Sequence, residues 1–212
     1  MAITQTHSRM VSDVDAGSTY ATTASQGTAA ALNVGTSANN VVQLNGSSQL
    51  PAVDGSLLTN ISGGKILQVV NVTDGAYASG TTVMVNDDTI PQNTEGNEFM
   101  TLAITPTSAS SKLKIEVVCN FSAPSDNQQG QVALFQDSTA NALAAVHQEM
   151  GAGARLNAVS FNHFMTAGTT SSTTFKVRAG SNAAGTCGFN GGGSRLLGGV
   201  MASSITITEI EA

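Results

Sequence analysis

Apolar and polar residues alternate with period two along much of the second half of the chain. The clearest run is KLKIEVVCNF, Lys112–Phe121. Leu113, Ile115, Val117, Cys119 and Phe121 share one face, while Lys112, Lys114 and Glu116 take the other. Such spacing predicts a strand with one packed and one wet face, as in an antiparallel sheet. Phe99–Ile104 repeats the pattern, with Met100, Leu102 and Ile104 in phase. Further strands are predicted over Lys65–Val72, Thr81–Val85, Gln131–Gln136, Ala142–Gln148, Asn157–Met165, Thr173–Ala179 and Ser204–Ile210. Turn-forming residues separate them: Asp74-Gly75, Ser79-Gly80, Asp87-Asp88, Pro106 to Ser111, Pro124 to Gly130, and a glycine-rich run from Gly180 to Gly199. Short strands with turns between them predict an all-β fold: an antiparallel β-sandwich, a jelly roll in the first instance, over residues 65–212.

Upstream of Gly63-Gly64 the pattern changes. Residues 41–61, VVQLNGSSQLPAVDGSLLTNI, break into three apolar pieces at Asn45-Gly46 and Asp54-Gly55. Each piece offers two or three apolar side chains, at about 1.5–3 kcal/mol each if fully buried. Ordering the backbone costs about 1–2 kcal/mol per residue, so one chain alone breaks even or loses. Three chains wound together cover one another's apolar edges and close the open strand edges. The segment is therefore expected to form a short trimeric shaft over 41–64, packed through Val42, Leu44, Leu50, Val53, Leu57, Leu58 and Ile61. Residues 1–40 are Ala, Thr, Ser, Gly and Gln with few large side chains. Thr22–Leu32 suits a short helix, and the alternative is an arm that orders only on a partner.

Composition narrows the function. Only 10% of residues are charged and 4% aromatic, there is no Trp, and the net charge is −6. Eight basic residues in no cluster do not make a surface for a phosphate backbone, which argues against nucleic acid. No stretch approaches the ~20 apolar residues of a membrane helix, so no membrane insertion is expected. The N-terminus, MAITQTHSRMVSD, lacks the apolar core of a signal peptide, so synthesis in a cytoplasm is expected. Cys119 and Cys187 are then better read as thiols than as a disulfide, with Cys119 on the apolar face of its strand. Three Asn-X-Ser/Thr sequons, at Asn60, Asn71 and Asn120, have no role without secretion.

Three segments carry a resemblance to a known family: KILQVV (65–70), the run DDTIPQNTEGNEFMTLAITPTSASSKLKIEV (87–117) and the closing SSITITEI (203–210). Together they resemble the globular tip domain of bacteriophage fibres, a jelly roll of the complement- and tumour-necrosis-factor-like type. The link from FMTLAITP through a Ser-rich turn to SKLKIEV is the most specific element. VVQLNGSSQLPAVDGSLLTN resembles a shaft element of phage fibre proteins. The resemblance covers roughly residues 40–212. It implies a homotrimer made in the host cytoplasm and carried on the virion, as a head or tail fibre. The N-terminal arm would bind capsid, portal or tail proteins, and the knob would face outward. It brings no catalytic motif.

Catalysis finds little support in the residues themselves. His7, His147 and His163 form no spaced cluster with Cys, so no metal is expected. Glycoside hydrolysis needs two carboxylates about 5–9 Å apart across a sugar, but Asp87 and Asp88 are adjacent and would point to opposite faces of a strand. No G-x-S-x-G elbow is present, and Gly191-Gly192-Gly193-Ser194 lacks the Lys and helix of a phosphate loop. No enzyme activity and no cofactor are expected. The Gly180–Gly199 run is the main candidate for recognition, with Phe189, Asn190, Arg195, Leu196 and Leu197. In one reading Phe189 and Arg195 offer an aromatic platform and a cation to a host-surface glycan or protein. In the other, the glycines let chains approach at a three-fold axis, with Leu196 and Leu197 packed between subunits. Ser122–Gly130 is a second, weaker loop of the same kind. Two functions compete: a fibre that meets the host surface, and a capsid or tail decoration protein with a purely structural role.

Overall fold

The computed structural model describes residues 42, 44, 46–49, 65–124, 128–149 and 156–212. The chain divides into two compact units, Met1–Ile61 and Ser62–Ala212, and all ten strands among the described residues belong to the second. In the first, Val42 and Leu44 are exposed on the single chain. The arm over 1–40, the shaft residues Leu50, Val53, Leu57, Leu58 and Ile61, and the boundary at Gly63-Gly64 lie outside the described residues.

The strands are β1 (Ile66–Asp74), β2 (Ala78–Gly80), β3 (Asn97–Ile104), β4 (Lys112–Ser122), β5 (Gln129–Gln136), β6 (Ala144–Glu149), β7 (Leu156–Thr166), β8 (Thr173–Ser181), β9 (Cys187–Phe189) and β10 (Ser203–Ile210). They form two antiparallel sheets. One runs β1-β10-β4, with β7 on the other edge of β4; β9 pairs β4 beyond the end of β10, and β2 pairs β9. The second sheet runs β3-β8-β5-β6. This is the all-β jelly roll expected from the sequence. Leu113, Ile115, Val117, Cys119 and Phe121 on β4 are buried as their spacing requires, facing Val132 and Leu134 on β5 and Phe175 and Val177 on β8. Both cysteines are free thiols in the core, and burial pushes the Cys119 thiol up to about 12.

The two ends of the sandwich differ. The chain enters at Lys65, whose carbonyl accepts from the Glu211 amide, so the last strand closes beside the first. We call this end the base; it also carries the turns 105–111, 137–143 and 167–172. The connections 182–186 and 190–202 lie at the other end, the apex, with the turn at 75–77, the end of β4 and the starts of β5 and β7. Nine residues of β1 at ~3.3 Å each put about 30 Å between the two.

One predicted strand is not formed. Thr81–Val85 is extended but belongs to no sheet. It crosses the outer face of the second sheet, where Met84 is fully buried against Ala133 and Phe135. The Met84 amide donates to the Ser181 carbonyl at 3.0 Å, and Thr82 is held by the Asn97 side chain at 2.9 Å. A β-like run was satisfied by covering a sheet rather than by joining one.

Gln131 lies on the same outer face, in register between Gly180 and His147. It is 4% exposed, and neither amide atom has a hydrogen-bond partner among the described residues. An orphaned buried polar group costs about 1–3 kcal/mol. Gln131→Met keeps the volume and removes both atoms. It is expected to raise the melting temperature by a few degrees in a thermal scan; a fall would show that the amide is satisfied in solution.

Candidate functional site

The apex is built on a buried knot of polar groups. Asn190 follows β9 with a left-handed backbone, φ 56°, and no exposure. Its Nδ2 donates to the carbonyls of Asp74 at 2.7 Å and Ala76 at 3.1 Å. Its Oδ1 accepts from the Ser203 hydroxyl at 2.7 Å, and its amide donates to the Asn120 carbonyl at 2.9 Å. The Ser203 hydroxyl in turn accepts from the Asn120 amide at 2.9 Å. One residue thus ties together the β1–β2 turn, β4, β9 and the start of β10.

From this knot the chain leaves as the loop 191–202. Gly191 and Arg195 close its neck as a β-bridge. A Cβ on Gly191 would collide with the Ser194 carbonyl oxygen, and one on Gly75 with that of Gly199. The close approaches these glycines permit are therefore made within one chain. The loop ends in a 3-10 turn, Leu197–Gly199, with the Gly199 amide donating to Leu196 at 2.9 Å and the Val200 amide to Leu197 at 3.2 Å. Leu197 itself is left-handed, φ 46°, a state that costs a non-glycine residue about 1–2 kcal/mol. Its side chain is 73% exposed, that of Val200 87% and that of Leu196 41%.

These positions correct part of the sequence reading. The Gly180–Gly199 run is not one open loop: it holds the end of β8, all of β9 and the knot. Phe189 is fully buried, stacked on Phe99 with ring centroids 4.9 Å apart, so it bridges the two sheets and offers no platform to a ligand. Asn190 is equally inaccessible. Arg195, Leu196 and Leu197 are exposed. In the Ser122–Gly130 loop, Ser122 is buried and its hydroxyl donates to the Gly191 carbonyl at 3.0 Å; residues 125–127 lie outside the described residues.

A second site escaped the sequence reading altogether. Glu209 is fully buried at the base, in phase with Ser203, Ile205 and Ile207 on the inner face of β10. Its Oε2 accepts from Gln68 Nε2 at 2.6 Å. Its Oε1 accepts from the Thr107 amide at 2.9 Å, the Thr107 hydroxyl at 2.7 Å and the Ser108 amide at 3.3 Å. A bulge between Ile66 and Gln68 sets Gln68 opposite Glu209. Burial alone pushes this carboxyl up, but the hydrogen bonds from Gln68 and Thr107 outweigh it and bring it down to about 2. The three segments that carried the family resemblance meet at this carboxylate. The signal was in the sequence: a Glu on the apolar phase of SSITITEI.

Among the described residues no group of three His, Cys, Asp or Glu side chains is placed to hold a metal, and no helix is long and apolar enough to cross a membrane. Asp87 and Asp88 line an open cleft of about 410 Å³ with Ile90, Pro91 and Ala142–Ala145. The Asp87 carboxyl is held below its usual range by the Thr89 hydroxyl and amide, which makes it the cap of its own turn.

No family model and no curated protein matches the chain. Solved structures that resemble it include the Eiger TNF from S. frugiperda (7% identity, TM-score 0.37, covering 68% of this chain and 93% of that one). Another is the EclA C-terminal domain, a sugar-binding protein (12% identity, TM-score 0.31, 76% and 89%). A third is the infectious bursal disease virus VP2 subviral particle (13% identity, TM-score 0.32, 68% and 38%). At these scores the likenesses carry nothing about what this chain binds.

Proposed function

We propose that this chain is a structural virion protein of a bacteriophage: a homotrimeric fibre with its N-terminal arm on capsid, portal or tail proteins and its jelly-roll knob exposed for attachment to the host surface. The observation that carries this reading is the polarity of the knob. The chain enters at the base. The 190–202 connection, longer than any at the base, carries its exposed apolar side chains about 30 Å away at the apex. An element anchored through what precedes Lys65 presents that apex outward.

The sheet edges support the trimer. Long, flat edge strands without charges, prolines or bulges are natural association sites. β1 and β3 are each broken by a bulge. β7, LNAVSFNHFMT, pairs β4 over eleven residues without one, contains no Pro, Gly, Lys, Arg, Asp or Glu, and pairs with no second strand among the described residues. Phe164 on this strand is 57% exposed, in phase with Ser160, Asn162 and Thr166 and directly opposite Lys114 of β4. Light scattering is expected to give a mass near three times the 21.4 kDa of one chain. Phe164→Lys is expected to shift that mass toward the monomer while the strand signal of the knob persists. A monomeric wild type would end the fibre reading. Imaging of labelled particles decides the location: a mass projecting from capsid or tail fits a fibre, whereas one lying flat on the facets fits a decoration protein.

A further inference from the structure

Resting on that reading, we infer that the apex loop Arg195–Val200 is the contact point with the host, and that it docks in an apolar, acid-rimmed pocket of a surface protein rather than on a glycan. Leu196, Leu197 and Val200 project from the loop, the last two almost wholly into solvent. The neck is closed without these three side chains: by the Gly191–Arg195 bridge, the Ser122 hydroxyl on the Gly191 carbonyl, the Gly75–Gly199 approach and the two amides of the 3-10 turn. The left-handed Leu197 is the second observation. Glycine would take that φ without strain and stands at the next two positions, φ 65° and 90°. A leucine kept where the backbone disfavours it points to a use for its side chain.

The chemistry of the loop selects the class of partner. Sugar recognition draws on an exposed aromatic face. Here Phe189 is buried, and Tyr77 is half-buried with its ring edge against Gly191. Two leucines and a valine on a closed turn fit a desolvated protein pocket instead. Arg195 is the only cation of the described apex connections and pairs with no carboxylate among the described residues, so an acidic rim complements it.

The test uses labelled full-length chain on cells of the host bacterium, with Leu197→Asp/Val200→Asp and Leu197→Gly as variants. Both variants are expected to keep the wild-type mass, and Leu197→Gly to keep or raise the melting temperature because it relieves the backbone. Both are expected to bind at least tenfold less, and wild-type binding to disappear on proteinase-treated cells but survive periodate oxidation of surface sugars. Wild-type binding left intact in the variants would overturn the inference alone. So would a drop in mass, which would make the loop a contact between copies, or binding abolished by periodate and not by proteinase. A wild type that binds no cell under any condition would instead remove the attachment role itself, and the inference with it.

Discussion

Replacing Glu209 by Gln is expected to lower the melting temperature of the knob by about 10 °C at neutral pH. Four donors converge on that carboxylate, two of them backbone amides of the Thr107–Ser108 turn. A glutamine presents one acceptor oxygen and turns an NH2 toward donors that, in the wild type, all point at a fully buried carboxylate. Hydrogen bonds to a charged group are each worth about 1.5–3 kcal/mol, so a net loss of about 3 kcal/mol is expected. For a domain of this size each kcal/mol moves the midpoint by about 3 °C. The pH dependence has a definite sign. The carboxyl titrates near 2 in the folded chain against an ordinary 4.5, so its contribution is complete above pH 4.5 and is lost as the pH falls toward 2. The gap between wild type and Glu209→Gln should therefore be widest at pH 5 and above and close progressively below pH 4.5. Other carboxyls act equally on both proteins and drop out of the difference. Melting curves that run parallel from pH 7 to 2.5 would mean that the buried charge is not what holds the turn.

The sandwich was legible because its long strands advertise themselves. β4, β8 and β10 alternate over their first six or more residues, and burial follows the alternation there. The short strands did not. β2 and β9 have three residues each, too few for a period, and β9 sits in a glycine-rich run that reads as loop. Several of those glycines mark close approaches by distant segments, Thr82 at Gly180, Pro124 at Gly185 and Ser122 at Gly188, which no local pattern encodes. The same run hid which of its side chains face outward. Phe189 and Asn190 look like recognition residues in a loop, yet Phe189 is core because β9 docks onto the end of β4. Thr81–Val85 failed in the opposite way. Its β-branched residues suit an extended chain, but whether such a chain joins a sheet or lies across one depends on where a free edge stands. Glu209 was visible only as an inconsistency, a charge in the apolar phase of its strand, and its partners come from two other segments far away in sequence.

Asn190→Asp is expected to destabilise the knob more than Asn190→Gly, although aspartate is the closer match in shape. Aspartate tolerates a left-handed backbone, and glycine adopts it freely, so neither change strains φ. What differs is the amide. Nδ2 donates to two buried carbonyls, those of Asp74 and Ala76. Glycine leaves both unpaired, whereas ionised aspartate sets a carboxylate oxygen against them, the costlier outcome in a site without exposure. About 2 kcal/mol is expected for the glycine variant and about 4 kcal/mol for the aspartate at neutral pH. Relative to wild type, the aspartate variant should recover part of its loss on acidification, because a protonated acid returns one donor. Hydrogen exchange should locate the damage: amides at 74–77, 187–191 and 203 should lose protection well before those of the Glu209 clasp at the base. The reverse order of the two variants, or uniform exchange over both ends, would mean that Asn190 acts through its backbone conformation and that apex and base melt as one unit. If the expected order holds, the apex loop is carried on a support whose stability is set separately from that of the base. A knob of this kind can vary the residues projecting from 195–200 without disturbing the end at which the chain enters.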